Sequence, residues 1–123
     1  MYIFAFEKLA VWQNTRTLVK EIYEITRIYP ADEKFGLVSQ LRRAIISVSS
    51  NIAEGSSRNT KKDQAHFYGI AYSSLLEVLS QIILSGDLEF INTEQYESLR
   101  EAVEQISFQL NALRNAALNA PQP

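Results

Sequence analysis

Between Tyr96 and Ala117 the apolar residues Tyr96, Leu99, Val103, Ile106, Leu110, Leu113 and Ala117 recur in alternating steps of three and four. That spacing puts one side chain per turn on a single helical seam, which a strand with its period of two does not bury. Three further segments carry related stripes, so the chain must build its core by packing helix on helix.

The segments are expected at about residues 7–28, 33–54, 61–85 and 94–118. The first carries Val11, Leu18, Ile22, Ile25 and Tyr29 on one stripe, with Trp12, Val19 and Tyr23 on its shoulder, and ends where Pro30 disfavours helix at Tyr29. Asp32 is the candidate N-cap of the second and Gly55 its candidate C′ residue. Thr60, with Asp63 three residues on, is placed to cap the third. Its core stripe reads Tyr68, Ala71, Tyr72, Leu75, Leu79, Ile82 and Ile83, with a break at Gly86. "APQP" reads as a frayed tail, and "FGLV" and "LEFIN" are too short and isolated to build a sheet. Matched segments of roughly 33–39 Å joined by short breaks predict an all-α fold, an antiparallel up-down-up-down four-helix bundle in a single domain over residues 1–123.

The stretch "SQLRRAIISVSSNIAEGSSR", Ser39 to Arg58, is more apolar than one core demands. With Leu41 as origin and steps of about 100°, Leu37, Ala44, Ile45, Val48 and Ile52 fall within roughly 60° of it. Phe35, Val38, Ile46, Ser49 and Ala53 form a second group at about 60° to 140°, giving a combined arc of about 200° where a core-facing stripe needs little over 100°. Segment three repeats the excess: Phe67, Ile70, Leu76, Val78 and Leu84 lie beyond its core stripe, beside a small-residue edge of Gly69, Ser73 and Ser80. Each large apolar side chain left in water forgoes roughly 1.5–3 kcal/mol. A homo-oligomer interface is therefore expected at Phe35, Val38, Ile46, Ser49, Ala53, Phe67, Gly69, Ile70 and Ser73.

The polar remainder of segment two is narrow and supports two readings. Arg43, Ser47, Asn51 and Glu54 are spaced to form a hydrogen-bond ladder that fixes helix register. Alternatively Arg43 joins Arg42, Arg58, Lys61 and Lys62 as a phosphate-contacting rim. Glu54 and Asn51 suit the ladder better, because a carboxylate beside phosphates repels them.

Charge sharpens the second reading without deciding it. The net charge is −2, which does not advertise a nucleic-acid binder. Yet Lys34, Arg42, Arg43, Arg58, Lys61 and Lys62 face only Glu54 between Lys34 and Lys62, whereas Asp87, Glu89, Glu94, Glu97, Glu101 and Glu104 face only Arg100 further on. With no cysteine, disulfides and thiolate metal sites are excluded. "MYIFAFEKLA" lacks the basic start of a signal peptide, and no apolar run approaches the roughly 20 residues of a bilayer span. A cytoplasmic protein with no membrane partner is expected.

Catalytic constellations are missing. His66 is the sole histidine and lies opposite Leu75, and no Glu-x-x-His pair exists, so zinc and di-iron patterns fail. Glu21, Glu24, Glu54 and Glu77 read as solvated or paired rather than gathered. Ser56, Ser57, Asn59 and Thr60 precede a helix start flanked by Arg58, Lys61 and Lys62; that arrangement suits an anion, or simple capping. No enzyme, metal or cofactor is expected.

Three separated motifs, "FEKLAVWQ" at Phe6–Gln13, "FGLVSQLRRA" at Phe35–Ala44 and "SNIAEGSSR" at Ser50–Arg58, together with "YGIAYSSLLEV" in segment three, resemble the signature of the bacterial four-helix-bundle proteins named after 23S rRNA intervening sequences. The resemblance implies a bundle that assembles into a ring-like homopentamer and is encoded within 23S rRNA gene insertions or elsewhere in bacterial genomes. It implies no established molecular role. A similar fold serves as the basic pentameric accessory protein of diversity-generating retroelements, which associates with a reverse transcriptase and nucleic acid; the acidic balance of this chain departs from that relative. The expectation is a non-enzymatic oligomeric bundle that acts as an RNA-associated accessory module, or as a scaffold for a partner protein.

Overall fold

The computed structural model describes residues 1–121. Four α-helices make up most of it: α1 (Ala10–Thr26), α2 (Ser39–Ser57), α3 (Lys61–Asp87) and α4 (Thr93–Leu118), with no strand among the described residues. Two of the four expected tail residues, 122–123, lie outside that range. The lengths are unequal. At about 1.5 Å per residue, 17 residues make α1 roughly 26 Å long while 27 residues make α3 roughly 40 Å, so the expectation of matched helices is corrected.

The shortening has local causes at the starts of the first two helices. The chain enters α1 through a 3₁₀ turn, Ala5–Lys8, in which Glu7 Oε2 accepts from Phe4 N at 2.7 Å and the Glu7 carbonyl accepts from Gln13 Nε2 at 2.7 Å. Asp32 is not the cap of the second helix. Instead Glu33 accepts from Leu37 N at 3.0 Å across a π-type turn, Lys34–Val38, whose Gly36 is non-helical at φ −108°, ψ −115°. A Cβ on Gly36 would sit 2.7 Å from Glu33 Oε2, so a larger residue would push the carboxylate from its capping position.

At the far end α2 does not stop at Gly55. It runs to Ser57, where Ser56 Oγ donates to Ala53 O at 2.9 Å and Ser57 Oγ to Glu54 O at 2.8 Å, supplying partners to carbonyls of the last turn. Thr60 caps α3 as expected, accepting from Asp63 N at 3.1 Å. That helix passes Gly86 and ends at Asp87, after which Glu89 takes a positive φ of 62° to reverse the chain. A capping box then starts α4: Asn92 Oδ1 accepts from Gln95 N at 2.8 Å and Gln95 Oε1 from Asn92 N at 2.9 Å.

Paired residues show that successive helices run antiparallel. Gln40 meets Gln81 and Ser47 meets Ser74, so as α2 ascends α3 descends. Gly69 lies beside Arg114 and Gly86 beside Tyr96 across α3 and α4, while Asn14 meets Gln109 and Glu21 meets Ser98 across α1 and α4. The fourth helix thus returns to the first and closes the bundle.

Its core is one continuous cluster built from Leu18 and Ile22 of α1, Leu41, Ile45, Val48 and Ile52 of α2, Leu75, Val78 and Ile82 of α3, and Leu99, Val103, Ile106 and Leu110 of α4. Val78 belongs to this core rather than to the outer face, while Tyr72, Leu79 and Ile83 are only half-buried. The seam of α3 is Tyr68, Ala71, Leu75, Val78 and Ile82, the same alternation of three and four that α4 shows. The buried hydroxyls of Thr15, Thr26 and Ser85 are satisfied within their own helices, as where Thr15 Oγ1 donates to Val11 O at 2.8 Å.

Gly55 fixes the approach of α2 to α3. It is buried, and a Cβ there would stand 2.7 Å from Cε1 of the buried Tyr68 ring. Gly55→Ala must displace that ring, and the expected loss is about 1–3 kcal/mol. Urea unfolding should show a lower midpoint with little change in slope.

Candidate functional site

The outer apolar residues divide into two surfaces. On α2 and the turn before it, Phe35 is 88% exposed and Ile46 is 41% exposed. Ile46 borders a shallow apolar groove against Val19 and Tyr23 of α1. Ser49 and Ala53 are half-buried, and Val38, expected at the interface, is instead buried in the chain's own core. On α3, Ile70, Ser73, Leu76 and Leu84 are exposed while Phe67 and Gly69 are half-buried. Ile70 and Ser73 border a groove against Arg114 of α4, so this surface and that of Ile46 open on different sides of the bundle. By length and composition alone α3 is apolar enough to cross a membrane, yet only 33% of its most apolar 18-residue stretch is buried in the fold.

The expected ladder is present in part and is internal to the chain. Ser47 Oγ and Ser74 Oγ lie 2.9 Å apart across α2 and α3, and Asn51 Nδ2 donates to Ser47 O at 2.9 Å and to Ser47 Oγ at 3.2 Å. One heptad away Gln81 Nε2 donates to Gln40 Oε1 at 3.3 Å. Glu54 is not a rung: it pairs with Arg58 at 3.2 Å. Arg43 is exposed and makes no side-chain hydrogen bond or ion pair among the described residues. The missed partners carried a signal, since Gln40 and Ser47 on one helix and Ser74 and Gln81 on the next repeat polar residues at the same interval.

Among the expected phosphate contacts, Arg42 is already committed elsewhere. Its guanidinium lies 4.5 Å from the Tyr23 ring centre, Nε donates to Thr26 Oγ1 at 3.0 Å and Nη2 to Tyr23 O at 3.3 Å. It ties α2 to α1. Arg58 is shared between Glu54 and Asp63, the latter at 3.9 Å, and lies 5.1 Å from the Phe67 ring centre. Arg43, Lys61 and Lys62 remain exposed. The serines and Thr60 of "GSSRNT" serve helix ends, and Gln64 Nε2 donates to Arg58 O at 3.1 Å, so this loop is occupied by its own contacts.

Antiparallel packing sorts the charges by end. Residues 1–16, 50–70 and 108–121 share one end and hold six basic residues (Lys8, Arg16, Arg58, Lys61, Lys62, Arg114) against three acidic ones (Glu7, Glu54, Asp63). The remaining residues up to 107 hold eleven acidic residues against six basic ones. Lys34, Arg42 and Arg43 therefore lie away from Arg58, Lys61 and Lys62, and the expected rim is split. Arg114 and the exposed His66 join the basic end, though neither stood among the expected contacts.

Burial raises the phenol pKa of Tyr29 and of Tyr68 above the ordinary 10.0, opposed at Tyr29 by the neighbouring Ser85 hydroxyl. That hydroxyl donates to Gln81 O at 2.8 Å, and Tyr29 Oη has no partner of its own within hydrogen-bonding geometry. No three acidic or histidine side chains gather to hold a metal among the described residues.

An all-helical bundle with an internal polar ladder and outward apolar surfaces is the class defined by these features. The family model described as 23S rRNA-intervening sequence protein matches residues 7–112, and the chain belongs to that family. The crystal structure of a protein of unknown function from the S23 ribosomal protein family of Bacteroides thetaiotaomicron is similar in fold, with a TM-score of 0.78 at 22% identity, covering 85% of this chain and 98% of that one. No curated protein matches the chain.

Arg42 is expected to act in stability. Arg42→Ala removes a stacked guanidinium and two hydrogen bonds and should cost about 1–2 kcal/mol in chemical denaturation, whereas Lys62→Ala should change stability by less than about 0.5 kcal/mol.

Proposed function

We propose that the protein is a non-enzymatic, cytoplasmic, self-assembling bundle that serves as an accessory module in an RNA-containing particle. The observation that carries this reading is the pair of apolar surfaces, at Ile46 beside α1 and at Leu76 and Leu84 on α3. Two unlike patches favour a heterologous contact, in which one surface of each copy meets the other surface of the next and a closed rotation gives a ring. A homopentamer is the ring expected from the family.

Burying what Phe35, Ile46, Leu76 and Leu84 still expose would contribute about 3–7 kcal/mol, at the lower end of the roughly 4–15 kcal/mol lost in association. Ring closure helps, because the final interface forms without further loss of translational freedom. Apolar patches on the sides leave the charged ends free. Lys61 and Lys62 are the proposed RNA contacts of the basic end, with Arg58 held by Glu54 and Asp63, Arg43 a separate cation and Arg42 withdrawn. The family's association with 23S rRNA intervening sequences supports an RNA setting.

The eleven acidic residues at the other end favour a second reading, a scaffold that recruits a basic partner protein without nucleic acid. A stoichiometric protein partner that survives nuclease treatment and co-purifies in the absence of RNA would support it.

Ile46→Glu should reduce the mass found by light scattering to that of smaller species; an unchanged mass means that no interface contains Ile46. Filter binding should retain single-stranded RNA at low salt, with log affinity falling at a slope of about −0.7 per phosphate contact. No retention even at low salt removes the RNA reading.

A further inference from the structure

We propose that the groove between α3 and α4 at the basic end is a phosphate-binding site for an RNA strand, with Arg114 as its principal contact. The inference rests on the RNA reading for the identity of the polymer, and assigns it a place that the sequence motifs do not. Arg114 lies beyond the family match, which ends at residue 112.

The groove has a volume of about 320 Å³ and is lined by Ala65, His66, Gly69, Ile70, Tyr72, Ser73 and Arg114. Its polar lining carries donors: a guanidinium, an imidazole and two hydroxyls, with no carboxylate among the lining residues. Such a set suits an anion. The guanidinium lies against Gly69, with Nε 3.6 Å and Cζ 3.8 Å from the point where a Cβ would stand, an ordinary packing distance.

Arg114 has no ion pair or side-chain hydrogen bond among the described residues, and the last acidic residue of α4 is Glu104, almost three turns earlier. Its donors are available for a planar, two-pronged contact with phosphate oxygens. Lys62 and Asp63 stand one turn before His66 on α3, a cation and a carboxylate that offset each other beside the groove. The trough is open to solvent and has more room than a lone phosphate needs. Ile70 and Tyr72 give it a partly apolar wall against which a sugar can rest. These features fit a phosphate carried on a nucleotide chain better than a free ion. Ile70 belongs to the groove, and the α3 surface proposed for assembly is that of Leu76 and Leu84.

His66 is the only histidine, so its imidazole gives one resolvable NMR signal in the full chain. The signal is followed during titration with oligouridylate, uridine 5′-monophosphate, inorganic phosphate and acetate, on wild type and on Arg114→Gln, with folding of the variant checked by circular dichroism. The expected result is a saturable shift with oligouridylate, weaker shifts with the monophosphate and phosphate, none with acetate, and at least a tenfold loss of oligouridylate affinity in Arg114→Gln. Arg114→Lys should recover only part of that loss. The proposal is overturned by no shift with oligouridylate, by an equal response to acetate, or by full affinity in Arg114→Gln. If filters still retain RNA while His66 does not respond, the strand binds elsewhere: the groove assignment fails and the broader RNA reading stands. If filters retain nothing, both fail together.

Discussion

The close approach of α2 to α3 at Gly55 and Tyr68 governs much of what the rest of the bundle does. Because a backbone without a side chain meets an aromatic face there, the two helices come near enough for Ser47 to reach Ser74 and Gln40 to reach Gln81 along the same seam. Those bonds set register, since a slide of one residue would carry the serines apart and leave polar groups facing a partly buried surface. The apolar core then has one arrangement available. Leu41, Ile45, Val48 and Ile52 face inward, and Ile46 must point away.

Helix type and number were legible in the sequence because periodicity is a local property that tertiary contacts reinforce. Thr60 was legible for the same reason, since a cap acts within one turn. The start of α2 was not. Asp32 and Glu33 are adjacent acids, and the choice between them depends on the non-helical Gly36, whose backbone lets Glu33 bend back to Leu37. Gly55 read as a helix end because glycine commonly stops helices; its role here is set by a ring on another helix, which no local rule sees.

The candidate site shows the same division. The double apolar face of α2 was visible as an arc, but Val38 near its edge turned inward because it sits where the π-type turn meets the core. Arg42 read as a free cation, and only the position of Tyr23 and Thr26 on α1 shows that it is a strut. Arg114 was silent in the sequence because its neighbours on α4, from Leu110 to Leu118, are all uncharged and no cluster of basic residues marks it. Its chemistry comes from lying opposite His66 and Gly69 once the helices are paired.

Sorting of charge by end has a further effect on the proposed ring. If neighbouring copies stand in the same sense around a common axis, like ends adjoin, and each added copy meets electrostatic resistance at both rims. Dissolved ions relax that resistance over a screening distance of about 8 Å at physiological strength. Salt would therefore tighten the ring while it loosens any hold on a polyanion, and the two activities would answer to the same ionic medium with opposite signs.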